Sequence, residues 1–414
     1  MNWRASIASI ACTLLLLAAK TAGAEQVTLT YMQGWLSPEH IAPEQEIIEE
    51  FMRRNPDIKV EMIVMNEPPE TIPVAFAAGA LGDVVVQSRD DFPNWQSIGM
   101  FLDLTPFLER DREFVDQFVP ELLSLFQAGG RQFGLLFAST GRGLTYYNAD
   151  EFANNGIPEP GTEPWTWSEL VEHGRKLVRH GSGGELLTAA IRIDSHPMNI
   201  WTWFWANDSD LFNADYTAST ATDEGVLETF AFIRDLIHSH GIMRPPSQSG
   251  SSVIGVGAGP WAFVGWKNRA EEGGYVTKIM WNPYQGDKKY IAMQGGSGLG
   301  ISAYTKHPEE AWRLLRYLTS EEVQWKRYLE GYGSSSLRSN LIRASQSTEG
   351  PIPEPQSLYW DVFNYGLPQP SFPKYRAWLP VFREHADRIL EGLVSPEEGM
   401  ATLKQLTDAM LNEK

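Results

Sequence analysis

Polar and apolar residues alternate from Ile58 to Met65, the period of a half-buried strand, and Val27 to Gln33 reads as a second short strand. Between them Pro43 to Arg54 forms an amphipathic helical pattern running from acidic to basic. Asn55-Pro56 stops it, because the residue before a proline is pushed out of the helical region. A further apolar helical stretch, Ile72 to Ala80, leads into a continuous strand, Asp83-Val84-Val85-Val86. Strand, helix, strand, helix, strand predicts a parallel sheet covered on both faces, and so an α/β fold. Hydroxyl-x-x-glutamate patterns at Thr166 to Glu169, Thr319 to Glu322 and Ser395 to Glu398 predict three further helix starts. Glycine-rich or proline-rich breaks fall at 139–143, 247–260, 295–300 and 331–336, which suits a chain that crosses between two lobes more than once.

The N-terminus changes the picture from an α/β protein to an exported one. Arg4 precedes an apolar run from Ile7 to Ala19, and small residues Ala22-Gly23-Ala24 follow, so residues 1–24 read as a signal peptide directing the chain to the periplasm. The run holds about a dozen residues, short of the roughly 20 that span a hydrocarbon core. Cys12, the single cysteine, precedes the leucines, whereas a lipid-bearing cysteine would follow them, so a cleaved leader is expected rather than a lipoprotein anchor. Beyond it there is no cysteine, which removes disulfides, thiolate zinc sites and cysteine nucleophiles. A length of 414 residues with 43% apolar content supports two or three ordinary cores.

Charge and motifs narrow the function. A formal charge of −18 repels nucleic acid and anionic membranes at long range, although a local arginine can override that mean field. Gly255 to Gly259 lacks the dinucleotide spacing and runs into Pro260, the eight histidines show no zinc-protease pattern, and no nucleophile-elbow serine occurs. No cofactor and no metal is therefore expected. Asp90-Asp91, Asp208 and Asp210 offer paired carboxylates, which keeps a secreted glycoside hydrolase as the enzymatic alternative.

One set of markers, met in order along the chain, resembles the extracellular solute-binding proteins of sugar ABC importers, the broad family that includes the maltose-binding proteins. They are Gly82 to Val86, Gly99 through Leu102-Asp103-Leu104-Thr105, Gly134-Leu135-Leu136, Tyr147 to Phe152, Gly156-Ile157-Pro158, Trp165 to Leu170, Gly259-Pro260-Trp261, Gly295 to Gly298 and His307 to Trp312. The resemblance covers roughly Val27 to Leu390. It implies a two-lobed periplasmic binding protein fold, each lobe a mainly parallel sheet flanked by helices. The expected division is 25–140 with 297–336 for the N-terminal lobe and 141–296 with 337–414 for the C-terminal lobe. It implies a monomer that captures a mono- or oligosaccharide, or a derivative, and passes it to a membrane permease. A chemoreceptor-coupled binding protein would share every cleft feature.

A sugar ring presents apolar faces and a polar rim, so a site for it needs flat aromatic surfaces and fixed donors and acceptors. Trp261, by resemblance, holds the place of a tryptophan that stacks on sugar; the alternative is core packing. Asp90, after the strand ending near Val86, matches an aspartate accepting from sugar hydroxyls, or else caps the helix near Phe92. Gln87 falls where maltose-binding proteins have a stacking tryptophan, which points to a smaller or more polar ligand. Trp35 follows the first strand, and the resemblance implies that this position contributes to the cleft, as it commonly does in the family. Trp201, Trp203 and Trp205 share one face if extended and spread around the axis if helical, and Trp203 is the choice for the cleft. Gly295, Gly296 and Ser297 read as a turn whose amides can approach a ligand, or as a hinge. Arg338 either clamps the ligand or pairs with a surface acid. The serines before it replace a proline usual in the family and also point to a smaller or more polar ligand.

Overall fold

The structure, a computed structural model, describes residues 26–256, 261–286, 292–347 and 349–413, with the backbone alone for 261–264 and 365. The expected leader lies outside these residues. Two mixed sheets organise the chain. The first holds β1 (Val27–Gly34), β2 (Ile58–Met65), β3 (Val84–Ser88), β4 (Leu135–Arg142), β10 (Ala292–Ile301) and β11 (Gly366–Pro368). The second holds β5 (Leu144–Asn148), β6 (Arg179–His180), β7 (Leu186–Arg192), β8 (Ser251–Val256) and β9 (Thr277–Trp281). Strand β1 pairs in parallel with β2 and β3, as the alternation predicts, while β10 runs antiparallel to β3 and β4. In the second sheet β7 and β8 form the one parallel pair among the described strands.

Helix starts follow the local chemistry. α1 (Pro38–Arg54) begins five residues before the predicted start because Pro38, at its first position, gives up an amide that has no helical partner. Thr166 makes the reciprocal capping box with Glu169. Ser320, not Thr319, caps α4 (Glu321–Leu329); Thr319 ends the preceding helix and donates its hydroxyl to Leu315 O at 2.8 Å. Ser395 accepts from the amide of Glu398.

Each sheet carries its own apolar core. Leu29, Ile48, Val85, Trp95, Leu299 and Trp312 belong to the first, and Phe152, Ile191, Trp203, Phe230, Ile254 and Trp378 to the second. Leu337, Leu341, Leu358 and Val362 pack in the first core, whereas the expected division placed everything from 337 onward with the other lobe. The chain passes between sheets at Gly143, whose φ of 113° suits glycine, and again between β9 and β10; after β11 it crosses once more, into helices that pack in the second core.

The predicted turn at Gly295 to Ser297 is instead the middle of β10, where the register shifts between Ser297 and Gly298. Gly296 has a φ of 150°, and an added Cβ would lie 2.4 Å from the carbonyl oxygen of Ala138. The glycines thus let a strand run hard against β4 rather than turn.

Candidate functional site

A cavity of 560 Å³ opens at the carboxyl ends of β1 and β3, where parallel strands present their loops to ligands. Trp35, Arg89, Asp90, Arg142, Gln369 and Arg376 are among its walls. Trp35 directly follows β1; it is 44% exposed and holds a left-handed backbone, φ 57°, that is costly for a tryptophan. Asp90 and Arg89 follow β3, and Gly296 lies alongside on β10. The opposite wall includes Gly265 and Asn268 of α3 (Trp261–Gly273) and Arg376 of α5 (Tyr375–Leu390). Because α5 packs in the second core, the cavity is walled by both lobes.

The floor is a polar network. Arg376 donates Nε to Asp91 Oδ1 at 2.6 Å and Nη2 to Asp91 Oδ2 at 2.7 Å, a bidentate pair joining the lobes, and Ser88 Oγ donates to Oδ2 at 2.5 Å. Gln369 donates its amide to Asp90 Oδ1, and Ser371 donates to Arg89 O at 2.7 Å. Arg89 donates to Leu125 O at 2.7 Å, and Arg142 to Asn199 Oδ1 at 3.0 Å. Burial pushes the Asp90 carboxyl up to about 6, helped by Asp91 and opposed by Arg376, Arg142 and Arg89. The Tyr375 hydroxyl, buried in the field of Asp90, Arg142 and Arg376, finds no hydrogen-bond partner among the described residues. His196 caps α2 (Pro197–Trp205) by accepting from Met198 N. Burial and then Arg142 push its imidazole down to about 4, which keeps that nitrogen an acceptor at neutral pH.

The Asp90 shift carries a stability consequence. A carboxyl whose folded pKa exceeds its unfolded value binds its proton more tightly when folded, so stability is lost as pH rises from about 4 through about 6. Two units amount to nearly 3 kcal/mol, and discounting for the opening to solvent leaves about 1–2 kcal/mol. Asp90→Asn is therefore expected to stabilise the ligand-free protein by about 1–2 kcal/mol at pH 7 and by almost nothing at pH 4, checked by urea unfolding at both pH values.

Of the sequence candidates, Trp35, Asp90 and Gly296 meet in this cavity. Gln87 does not. Strand β3 continues to Ser88 and is covered on both faces, so Gln87 is fully buried, fills the slot left by Gly134 and Gly300, and donates to Phe133 O at 2.9 Å. Trp203 is also fully buried: its segment is helix α2, which spreads the three tryptophans, and its ring packs near Trp167 and Phe232 in the second core. Arg338 is exposed at the start of the helix Arg338–Gln346 on the first lobe and borders a different hollow with Glu121 and Trp360. The serines before it are buried and bond the backbone of β4, with Ser336 donating to Leu136 O at 2.8 Å. The two sequence hints of a smaller ligand therefore describe core packing. Trp261 begins α3, and its side chain lies outside the described residues.

Arg89, Arg142, Gln369 and Arg376 were missed by sequence reasoning. The candidate catalytic carboxylates also resolve: Asp91 is held by Arg376 and Ser88, and Asp210 accepts the indole N–H groups of Trp201 and Trp205 at 2.8 and 2.7 Å. Among the described residues no cluster of His, Cys, Asp or Glu is arranged to hold a metal, and no helix is long and apolar enough to cross a membrane.

Two α/β lobes joined by repeated crossings, with a polar cavity walled by both, define the class of two-lobed solute-binding proteins. The chain belongs to the bacterial extracellular solute-binding protein family, whose model matches residues 36–325. An uncharacterized lipoprotein of Streptomyces antibioticus is 28% identical over 44% of this chain, a match spanning only 41% of that relative's length. A multiple sugar-binding protein of Streptococcus mutans is 21% identical over 73% of this chain and 74% of its own. An ABC substrate-binding protein of Listeria monocytogenes in complex with cycloalternan shares the fold, with a TM-score of 0.81 at 17% identity over 94% of this chain and 100% of that one.

Proposed function

We propose that this chain is the periplasmic receptor of an ABC importer, which closes its lobes on a small carbohydrate or related polar solute and delivers it to a membrane permease without chemical turnover. The cavity carries the reading: an exposed aromatic face at Trp35, acceptors and donors at Asp90 and Gln369, and walls from two lobes. A solute touching both walls favours the closed form by its differential affinity. A mono- or disaccharide of about 12 to 23 heavy atoms reaches a Kd of ~1 µM with about 0.7 to 0.35 kcal/mol per atom, ordinary for a ligand of that size. The names of the Streptococcus and Listeria relatives support sugar as the solute class. The leader pattern of residues 1–24 supports periplasmic export.

By sheet membership, the lobes divide as residues 26–142 with 292–368, and 144–286 with 369–413. Trp35, Asp90 and Gly296 are ligand-binding positions in this reading, joined by Gln369 and by Trp261, one helical turn before the cavity-lining Gly265.

Thermal denaturation of the full chain against sugars, polyols, glycosides and sugar acids tests this. A cognate solute at about 100 times its Kd adds about 2.7 kcal/mol and raises Tm. No stabilising solute, together with hydrolysis of a glycan, would overturn the reading.

A further inference from the structure

We propose that residues 369–376 form a clasp that holds one edge of the cavity shut whether or not a solute is bound, so that the lobes part only at the opposite edge, between Trp35 to His40 and α3. The proposal rests on the lobe-closure reading above and specifies where the movement occurs and where the solute enters.

The clasp spans the last crossing, where the chain leaves β11 and enters α5. Its first residue is tied to the first lobe: the backbone N–H of Gln369 donates to Gln294 O of β10 at 2.7 Å. From there three successive residues of the loop after β3 are held in turn. Ser371 donates its hydroxyl to Arg89 O at 2.7 Å, Gln369 donates its side-chain amide to Asp90 Oδ1, and Arg376 holds both oxygens of Asp91. Gln369, Ser371 and Asp91 are buried, which shelters these bonds from competing water. The Arg376 side chain is itself 43% exposed, and an isolated pair of that kind contributes little, so the buried neutral bonds beside it are what make the edge rigid. Phe372 and Tyr375, which alternate with these contacts along the chain, are buried in the second core. The hold therefore reaches the body of the second lobe.

The facing edge has no such ties. Trp35, Ser37, Glu39 and His40 line the cavity from the first lobe, and Gly265 and Asn268 of α3 line it from the second. Among the described residues no hydrogen bond or ion pair joins 35–40 to 265–273. His40 is held within its own lobe by Ser37 and by Glu330 O, while Glu39 and Asn268 are exposed. Elements joined by few buried contacts separate first, whereas bonded, buried ones stay together. Rotation about the clasped edge thus parts the Trp35 loop from α3 and leaves Asp90, Gln369 and Arg376 in place. An incoming solute meets a half-site already built from both lobes, and the ordering that binding costs is confined to the Trp35 side.

Spin-label distances on the full chain test this. Cys12 is the single cysteine, so once it is replaced, Cys12→Ser, introduced cysteines carry the labels alone. Ile41→Cys with Lys267→Cys reports the mouth, and Asn94→Cys with Ala377→Cys reports the clasp; all four positions are exposed and none lines the cavity. Without solute the clasp pair is expected to give one narrow distance distribution, which Asp91→Asn combined with Ser371→Ala broadens. A solute that raises Tm is expected to shorten the mouth distance by more than ~2 Å and to shift the clasp distance by less than ~1 Å. Tm of the double variant checks its folding, and the parent comparison stands without it. A clasp distribution that is broad in the parent, unaltered in the folded double variant, or shifted by solute as far as the mouth overturns the clasp and leaves lobe closure standing. A solute that raises Tm and moves neither pair overturns closure and the clasp together.

Discussion

Arg327→Met is expected to lower the unfolding free energy by about 3–5 kcal/mol, because it strands a charge in the first core. Arg327 on α4 and Glu44 on α1 are 1% and 0% exposed, and they meet through Nε to Oε2 at 3.0 Å and Nη2 to Oε1 at 2.5 Å. The remaining capacity is also used: Arg327 donates to Leu318 O at 2.6 Å and lies over the Phe137 ring at 4.7 Å, and Tyr31 of β1 donates to Glu44 at 2.8 Å. Removing the guanidinium leaves the buried carboxylate with hydroxyl donors such as Tyr31 but without the cation that balances its charge. Replacing both partners, Glu44→Leu with Arg327→Met, is expected to recover most of the loss, since buried pairs often exchange for apolar residues at little cost. Urea unfolding of the two single variants and the double variant measures the coupling. A single variant within ~1 kcal/mol of the parent would show that the pair is not what ties α1 to α4.

Trp35→Gly is expected to separate stability from binding. The φ of 57° costs a non-glycine residue about 1–2 kcal/mol, so glycine there relieves strain, and the 44% exposed ring gives up little burial. Stability is expected to stay level or rise by up to ~1 kcal/mol, while loss of a stacking face weakens solute binding by about 10- to 100-fold. Chemical denaturation and calorimetry with a solute that stabilises the parent check the two halves. An unchanged Kd would make Trp35 a strained rim residue with no ligand role.

The elements around these residues were legible to different degrees. The short strand at Val27 to Gln33 and the apolar run ending at Val86 lie in their expected places, and from them followed the loops that carry Trp35 and Asp90. The end of β3 was less legible: the strand runs two residues past Val86, to Ser88, which keeps Gln87 in the core and leaves the loop to Arg89 and Asp90. Periodicity left α2 ambiguous because apolar residues occupy nearly every position, and helix formation buried Trp203. Nothing in the pattern of α1 separates Glu44 from Glu46 or Glu49, since its partner lies 283 residues away. Arg142, Gln369 and Arg376 were hidden for the same reason. They enter the cavity from the segments where the chain crosses between lobes, and no local spacing records that meeting.

Lobe closure on a bound solute is the centre of this account, and small-angle scattering measures it most directly. Adding a solute that raises Tm should reduce the radius of gyration as both walls of the cavity engage it, with the solute recovered chemically intact. An unchanged radius of gyration at saturation, or conversion of the solute, would contradict closure without turnover.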